Sequence, residues 1–221
     1  MRHNTSREVF NYWNRTRGSQ DAPLRAQIEP ASIRHILPQI FILEMTEVGQ
    51  PRFRLAGTMI CSFFGRELRD DLFSSLWSGR QSDNAVPIAQ GVMSHAAPAL
   101  LNATGYTATG RSMGFEIILL PMRSSPDRCD RLLGCLVPTS NAIWLGAEPL
   151  TNLALDRSRL LHDEAAIADA LPAGAKATKS VLMSKGAELG LVVRRVLHLK
   201  VLEGGRARRP YEPFRDTAVR P

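Results

Sequence analysis

One stretch of the sequence, residues 52–68 (RFRLAGTMICSFFGREL), constrains the fold more than any other. It begins with an alternating segment in which Phe53 and Leu55 share one face and arginines occupy the other, as in a β-strand with one buried face. An apolar helix of one or two turns then starts at Gly57 and ends at Gly65. A strand that leads directly into so short an apolar helix predicts a small sheet packed by short helices, and not a catalytic strand–turn–helix.

An amphipathic helix is predicted over Thr5–Arg17, ahead of this stretch. Val9, Phe10 and Trp13 follow the spacing of three and four residues that places apolar side chains on one helical face. Such a face must be covered, either by the open face of the sheet or by the same helix of a second copy. We expect a homodimer that forms through this helix.

The remaining periodic segments predict an α+β fold. Two strands, several short helices, one longer helix and three further strands follow one another, which favours a five-stranded antiparallel sheet with helices on one face. The predicted elements are the short helices Pro30–Pro38 and Asp70–Trp77, the helix Gln81–Ala96, and the strands Gln39–Thr46, Arg52–Ala56, Leu100–Thr109, Met113–Met122 and Leu132–Thr139.

Charge separates the middle of the chain from its C-terminal part. The net charge is +7, and residues 150–221 carry thirteen Lys and Arg against eight acids, whereas residues 31–149 carry ten of each. We divide the chain into an N-terminal helix (1–18), a globular domain (19–153) and a basic C-terminal extension (154–221).

The C-terminal extension is predicted to contain a helix at Asp156–Leu171, a linker, a strand within residues 189–202 and a basic, partly disordered tail. A basic segment attracts anionic partners, although a solvated tail has the same composition. The anion-binding candidates are Arg194, Arg195 and Lys200.

Several spaced segments carry a family resemblance. They are residues 54–68, in the pattern R-x-x-G-T-x-x-C-x-x-F-G-R-E-L, and the segments 72–77 (LFSSLW), 116–122 (EIILLPM), 132–135 (LLGC) and 144–146 (WLG). From Val9 to Leu153 the chain resembles the PAS-type family of short alphaproteobacterial proteins. The resemblance implies a PAS-like sensory or protein-interaction fold and a role in signal transduction. It implies no catalytic residues, because none are established for that family.

The resemblance also indicates where a small ligand would lie, which in a PAS fold is between the helices and the sheet. Filling of the core explains the same apolar residues without any ligand. The candidates for this pocket are Phe63, Phe64, Leu68, Phe73, Trp77, Ile88, Val92 and His95.

We expect neither haem nor flavin, and no cofactor is required. The cysteine that adds to flavin in light-sensing PAS domains lies in a later segment, whereas Cys61 belongs to an early apolar helix and suits a small buried hydrophobe. His95 is near the place of the haem ligand in haem-binding PAS domains, but Ala96, Ala97 and Pro98 follow at once, which indicates a helix C-terminus. The histidines show no metal-ligand spacing, so no metal is expected.

Other function classes lack their motifs. The sequence has no G-x-S-x-G, no dinucleotide fingerprint and no apolar run of about 20 residues. Its three irregularly spaced cysteines suggest neither disulfides nor zinc, which favours the cytoplasm. We expect a regulatory protein that is not an enzyme and acts by binding a protein partner, with or without a small ligand inside the fold. The alternative is a binder of nucleic acid or a cyclic nucleotide through the basic C-terminal segment.

Overall fold

Six antiparallel strands form one sheet in the computed structural model, which describes residues 1–161. The strand order is β2-β1-β5-β4-β3-β6. The strands are β1 (Ile40–Met45), β2 (Pro51–Ala56), β3 (Ala99–Thr107), β4 (Ser112–Met122), β5 (Arg131–Pro138) and β6 (Leu150–Leu160). The α-helices are α1 (Asn4–Arg17), α2 (Thr58–Phe64) and α3 (Ser82–Ser94), and 3-10 segments cover Arg25–Gln27, Pro30–Gln39, Phe73–Leu76 and Gly79–Gln81.

The predicted α+β fold is confirmed, and the five predicted strands occur with ends within two residues of those expected. Strands β4 and β5 lie in the centre of the sheet, and their side chains are buried on both faces. This explains why their sequences are continuous apolar runs and not alternating ones.

The sixth strand, β6, was not predicted. It pairs antiparallel with β3 along its whole length and crosses the expected domain boundary between residues 153 and 154. The predicted helix at Asp156–Leu171 is therefore wrong for residues 156–160. Its remainder, like the linker, the strand within 189–202 and the tail, lies outside the described residues.

The two faces of the sheet carry separate cores, because alternate residues of each strand point to opposite sides. On what we call the inner face, α2, α3 and the segment Phe73–Leu76 pack against residues such as Phe115 and Ile117 of β4. On the outer face, α1 and the segment Pro30–Gln39 pack against the alternate residues of the same strands, such as Ile118 of β4. The expected helices on one face are thus α2 and α3, while α1 covers the other face.

Helix α1 packs against the sheet of its own chain. Val9 is fully buried, Trp13 is 2% exposed, and the Trp13 indole Nε1 donates a hydrogen bond of 2.8 Å to the carbonyl oxygen of Pro121. Phe10 is half-buried, with its ring centroid 6.0 Å from that of Trp13. Of the two alternatives for this apolar face, the structure shows the sheet. The side chains of Val9 and Trp13 are therefore not available to a second copy, and the homodimer stays a prediction.

Gly57 joins β2 to α2 at a point where the backbone of another segment passes very close. A Cβ atom at this position would overlap the carbonyl oxygens of Leu37 and Pro38. We expect Gly57→Ala to lower the free energy of unfolding by about 1–3 kcal/mol, as other overpacking substitutions do.

Urea unfolding checks this expectation, with Gly91→Ala as the matched control. Gly91 lies inside α3 with open space around its Cα, so alanine there should stabilise the helix by about 0.5–1 kcal/mol. Equal unfolding midpoints for the two variants would show that the close approach at Gly57 is unimportant.

Candidate functional site

The layer between α2, α3 and the inner face of the sheet brings most of the predicted pocket residues together. Ile88 is partly buried at the edge of this layer, and His95 lies outside it. The predicted residues that are buried within the layer are Phe63, Phe64, Leu68, Phe73, Trp77 and Val92.

Aromatic side chains fill this layer. The ring centroid of Phe73 lies 5.5 Å from that of Trp77, 6.0 Å from that of Phe53 and 6.4 Å from that of Phe41. Such separations are contact distances for aromatic rings. The rings therefore occupy the space between the helices and the sheet themselves.

One polar atom in this layer lacks a partner. The indole Nε1 of Trp77 is buried and donates no hydrogen bond to any residue from 1 to 161. Buried donors usually have an acceptor. A hydrogen-bond acceptor that entered the layer would therefore find one donor at Trp77.

His95 is an exposed residue at the C-terminus of α3, so the prediction that it belongs to the pocket is wrong. Its backbone N–H closes the helix on the carbonyl oxygen of Gly91, at 3.0 Å. The next residue, Ala96, has a φ of 48°, which turns the chain out of the helix towards β3. The imidazole thus ends on the surface and not between helix and sheet, where haem would need its ligand.

The cysteine in the family pattern has a thiol whose pKa is raised. Cys61 is half-buried on α2, and burial raises the pKa of its thiol. The nearby Glu67 carboxylate, with an Oε1 atom 3.5 Å from Sγ, acts in the same direction. A thiol with a raised pKa carries little thiolate at neutral pH, which fits the predicted role of a small hydrophobe.

The charged end of the family pattern fixes a loop. Gly65 ends α2 with a φ of 62°, and a side chain there would also meet Pro149. The Glu67 carboxylate accepts backbone hydrogen bonds of 3.1 Å from Arg69 and 3.0 Å from Leu68, which lower its pKa. Arg66 pairs with the carboxylate of Asp71 and donates to Ser75. These side chains are engaged with their own loop, so the pattern has a structural role here.

A second candidate site lies on the outer face and was missed by the sequence analysis. It is a surface groove of about 410 Å³ between the segment Pro30–Gln39 and strands β1 and β2. We call it the outer groove. Its lining residues are Arg25, Ile28, Pro30, Ile33, Arg34, Leu37, Pro38, Ile40, Ile42, Leu55, Ala56, Gly57, Thr58 and Leu133. They come from segments that are distant in sequence and share no local pattern.

An arginine cluster continues the same face of the sheet. Glu44 lies two residues beyond Ile42 on β1, and its carboxylate is 2.7 Å from Arg52, 3.0 Å from Arg54 and 4.0 Å from Arg131. Burial acts to raise the pKa of Glu44, but the hydrogen bonds from Arg52 and Arg54 outweigh it and lower the pKa. Three arginines thus share the Glu44 carboxylate, and the charge of Asp70 also acts on Arg52, so the cluster holds three positive charges against two negative ones.

The buried carboxylate of Glu116 on β4 holds the start of α1. It is 2% exposed and accepts hydrogen bonds from the backbone N–H groups of Arg2, at 2.8 Å, and His3, at 3.2 Å. Burial acts to raise the pKa of Glu116, but these bonds outweigh it and lower the pKa. The charged form of Glu116 is therefore favoured by folding.

We expect Glu116→Gln to lower the free energy of unfolding by about 1–3 kcal/mol at neutral pH, because two N–H groups lose a charged acceptor. The folded-state pKa lies below the unfolded value of about 4.3, so this contribution is complete above that value and is lost as pH falls through the folded-state pKa. The stability difference between wild type and variant should therefore shrink on acidification. Urea unfolding as a function of pH measures it.

The control is Glu47→Gln, at an exposed position in the turn between β1 and β2. This variant should follow the wild-type stability at every pH. A Glu116→Gln variant whose deficit persists in acid would indicate a steric effect and not the loss of the charge.

The described residues bear on the metal prediction but not on the predicted anion-binding residues. Residues 1–161 contain no group of three or more His, Cys, Asp or Glu side chains placed to bind a metal ion. The anion-binding candidates Arg194, Arg195 and Lys200 lie outside the described residues. Among the helices described, none has both the length and the apolar character needed to cross a membrane.

One similar solved structure is described as "Flavin Analogue Sheds Light on Light-Oxygen-Voltage Domain Mechanism". Its sequence is 11% identical to this chain, the alignment covers 50% of this chain and 84% of that chain, and the TM-score is 0.37. A second similar structure is the crystal structure of the Rhodobacter sphaeroides LOV protein, whose sequence is 12% identical. The alignment covers 52% of this chain and 71% of that chain, and the TM-score is 0.37. No curated protein matches the chain. The family model described as a PAS domain matches residues 1–137, more than half of the 221 residues. The resemblance seen in the sequence is confirmed, and the chain belongs to the PAS domain family.

Proposed function

We propose that this PAS protein is a regulatory component of signal transduction that acts by contact with a protein partner and catalyses no reaction. The observation that carries the proposal is the filled inner layer, where Phe41, Phe53, Phe73 and Trp77 pack against one another. When a protein's own side chains fill its interior, a partner is recognised through the surface of the protein.

The state of the reactive side chains supports a role without catalysis. Burial raises the pKa of Cys129 to about 11 and that of Cys135 to about 12, so neither thiol is a ready nucleophile. Glu44 and Glu116 are both largely enclosed; arginines engage the Glu44 carboxylate, and backbone amides engage that of Glu116. General acid or base catalysis needs a group that is free to exchange a proton with a substrate.

The thiols also support a location in the cytoplasm. Cys61, Cys129 and Cys135 are all free. Unpaired cysteines suit a reducing compartment, where disulfides are rare.

Native mass spectrometry of the full chain, purified from its own host, tests the proposal. We expect masses equal to one polypeptide or to whole multiples of it. A bound flavin, haem or other small molecule at stoichiometric amounts would overturn the proposal in favour of a sensor with an internal ligand. The unpartnered Trp77 Nε1 donor marks where such a ligand would place its acceptor.

A further inference from the structure

We propose that the outer groove binds an acidic amphipathic helix of a partner protein, whose apolar side chains enter the groove while its carboxylates meet the arginines at the rim. This inference rests on the proposed function and names the surface and the chemistry of the partner. Helix-in-groove recognition of this kind uses apolar anchors spaced three, four and seven residues apart.

The floor and walls of the groove are apolar. The lining includes Ile33, Ile40 and Ile42 together with Leu133 of β5, and all four are buried in the core of the outer face. Leu55 of β2 also lines the groove and is 46% exposed. The predicted alternation put it on the same face as Phe53, which is wrong, because a register shift between β1 and β2 pairs Leu55 with Ile42 on the outer face. An apolar side chain from a partner that covered Leu55 and entered the groove would therefore make the free energy of binding more favourable.

The open shape of the groove favours a macromolecular partner over a small molecule. Sites for small ligands bury about 70–90% of the ligand surface. The outer groove is partly open to solvent, so part of the surface of a bound ligand would stay uncovered. An amphipathic helix carries its own polar face, which stays in water while the apolar face is covered.

The charges at the groove select an acidic partner. Arg25 and Arg34 are the charged residues among the described lining, and neither forms an ion pair within residues 1–161. Arg25 is half-buried and donates to the carbonyl oxygen of Ile28 at 3.3 Å, while Arg34 is exposed. The arginine cluster around Glu44 adds positive charge on the same face. Carboxylates beside the apolar anchors of a partner would complement these groups.

Fluorescence anisotropy with a labelled peptide tests this inference on the full chain. The probe is a helical peptide of about 18 residues with leucines at one face and glutamates elsewhere, long enough to form a helix. Leu55→Glu should weaken its binding by at least about tenfold, since an apolar contact is lost and a like charge is added. Val48→Glu is the matched control, because Val48 is an apolar residue of the same hairpin that is 82% exposed and lies outside the groove lining. It should bind the peptide as the wild type does.

A second pair of variants keeps the test valid if Leu55→Glu is unstable. Arg34→Glu changes an exposed side chain and should weaken binding, whereas Arg15→Glu, at an exposed position on α1, should not. Equal losses for Arg34→Glu and Arg15→Glu would indicate general attraction to a basic protein, including its C-terminal part, and would overturn the assignment. Binding that Leu55→Glu leaves unchanged in a folded protein would overturn it too.

Vesicles of phosphatidylcholine and phosphatidylglycerol separate a membrane from a protein partner. Vesicle binding that Leu55→Glu abolishes, together with no peptide binding, would contradict the inference and assign the groove to an anionic lipid surface. The native mass spectrum decides the proposed function separately. A chain free of small ligands that fails to bind the peptide through the groove refutes only the inference.

Discussion

Replacement of Trp13 by alanine is expected to lower the free energy of unfolding by about 3–5 kcal/mol, the range for large aromatic residues in cores. The indole is 2% exposed beneath α1, packs in the outer core and donates its N–H to the carbonyl oxygen of Pro121 at 2.8 Å. Alanine leaves a cavity and a carbonyl oxygen without its donor. Urea unfolding at several protein concentrations measures the loss and shows whether it depends on association.

Two further variants separate the contributions at Trp13. Trp13→Phe keeps most of the packing and loses the hydrogen bond, so it should cost less than Trp13→Ala. Phe10→Ala changes a half-buried neighbour on the same helix and should also cost less. A Trp13→Ala variant with wild-type stability that instead shifts a dimer towards monomers would contradict the packing of α1 on its own sheet.

The outcome at α1 shows what periodicity determines. The spacing of Val9, Phe10 and Trp13 places them on one face of a helix and requires that face to be covered. It contains no information about the surface that covers it, because a sheet face and a second helix present similar apolar groups. That Trp13 reaches the backbone of Pro121, in a strand far along the chain, depends on the tertiary fold.

Strand β6 was missed because its second half does not look like a half-buried strand. Residues 156–160 are exposed and mostly charged or polar, since they lie at the edge of the sheet. Register shifts near Asn102 and Thr107 of β3 also interrupt the alternation that identifies a strand. Leu160 was the residue of β6 assigned to the apolar face of the predicted helix, whereas pairing with β3 places it in a strand.

The two candidate sites differed in how far the sequence could predict them. The family pattern and the order of elements placed Phe63, Phe73 and Trp77 in one layer, which the structure confirms. His95 was placed near that layer by its helix, but the turn at Ala96 leaves it on the surface. The outer groove combines residues from Arg25 to Leu133 that become neighbours only after the sheet forms. Local sequence reasoning has no pattern with which to detect such a surface.

Replacement of Phe73 by alanine is expected to cost about 3–5 kcal/mol and to create the internal space that the wild type lacks. Phe73 is 1% exposed, and its ring is in contact range of those of Phe41, Phe53 and Trp77. The matched control is Leu72→Ala, at the preceding residue, which is 41% exposed and should change stability by less than about 1 kcal/mol. Urea unfolding of the two variants measures both values.

Benzene tests the filled inner layer directly, because apolar cavities in proteins stay dry and bind small apolar molecules. A ligand that binds only the folded state raises the unfolding temperature. Benzene should therefore raise the unfolding temperature of Phe73→Ala and leave that of the wild type and of Leu72→Ala unchanged. A similar rise in the wild type would show that the inner layer already has room for a ligand, and the proposal of signalling by surface contact alone would have to give way to a sensor with an internal ligand.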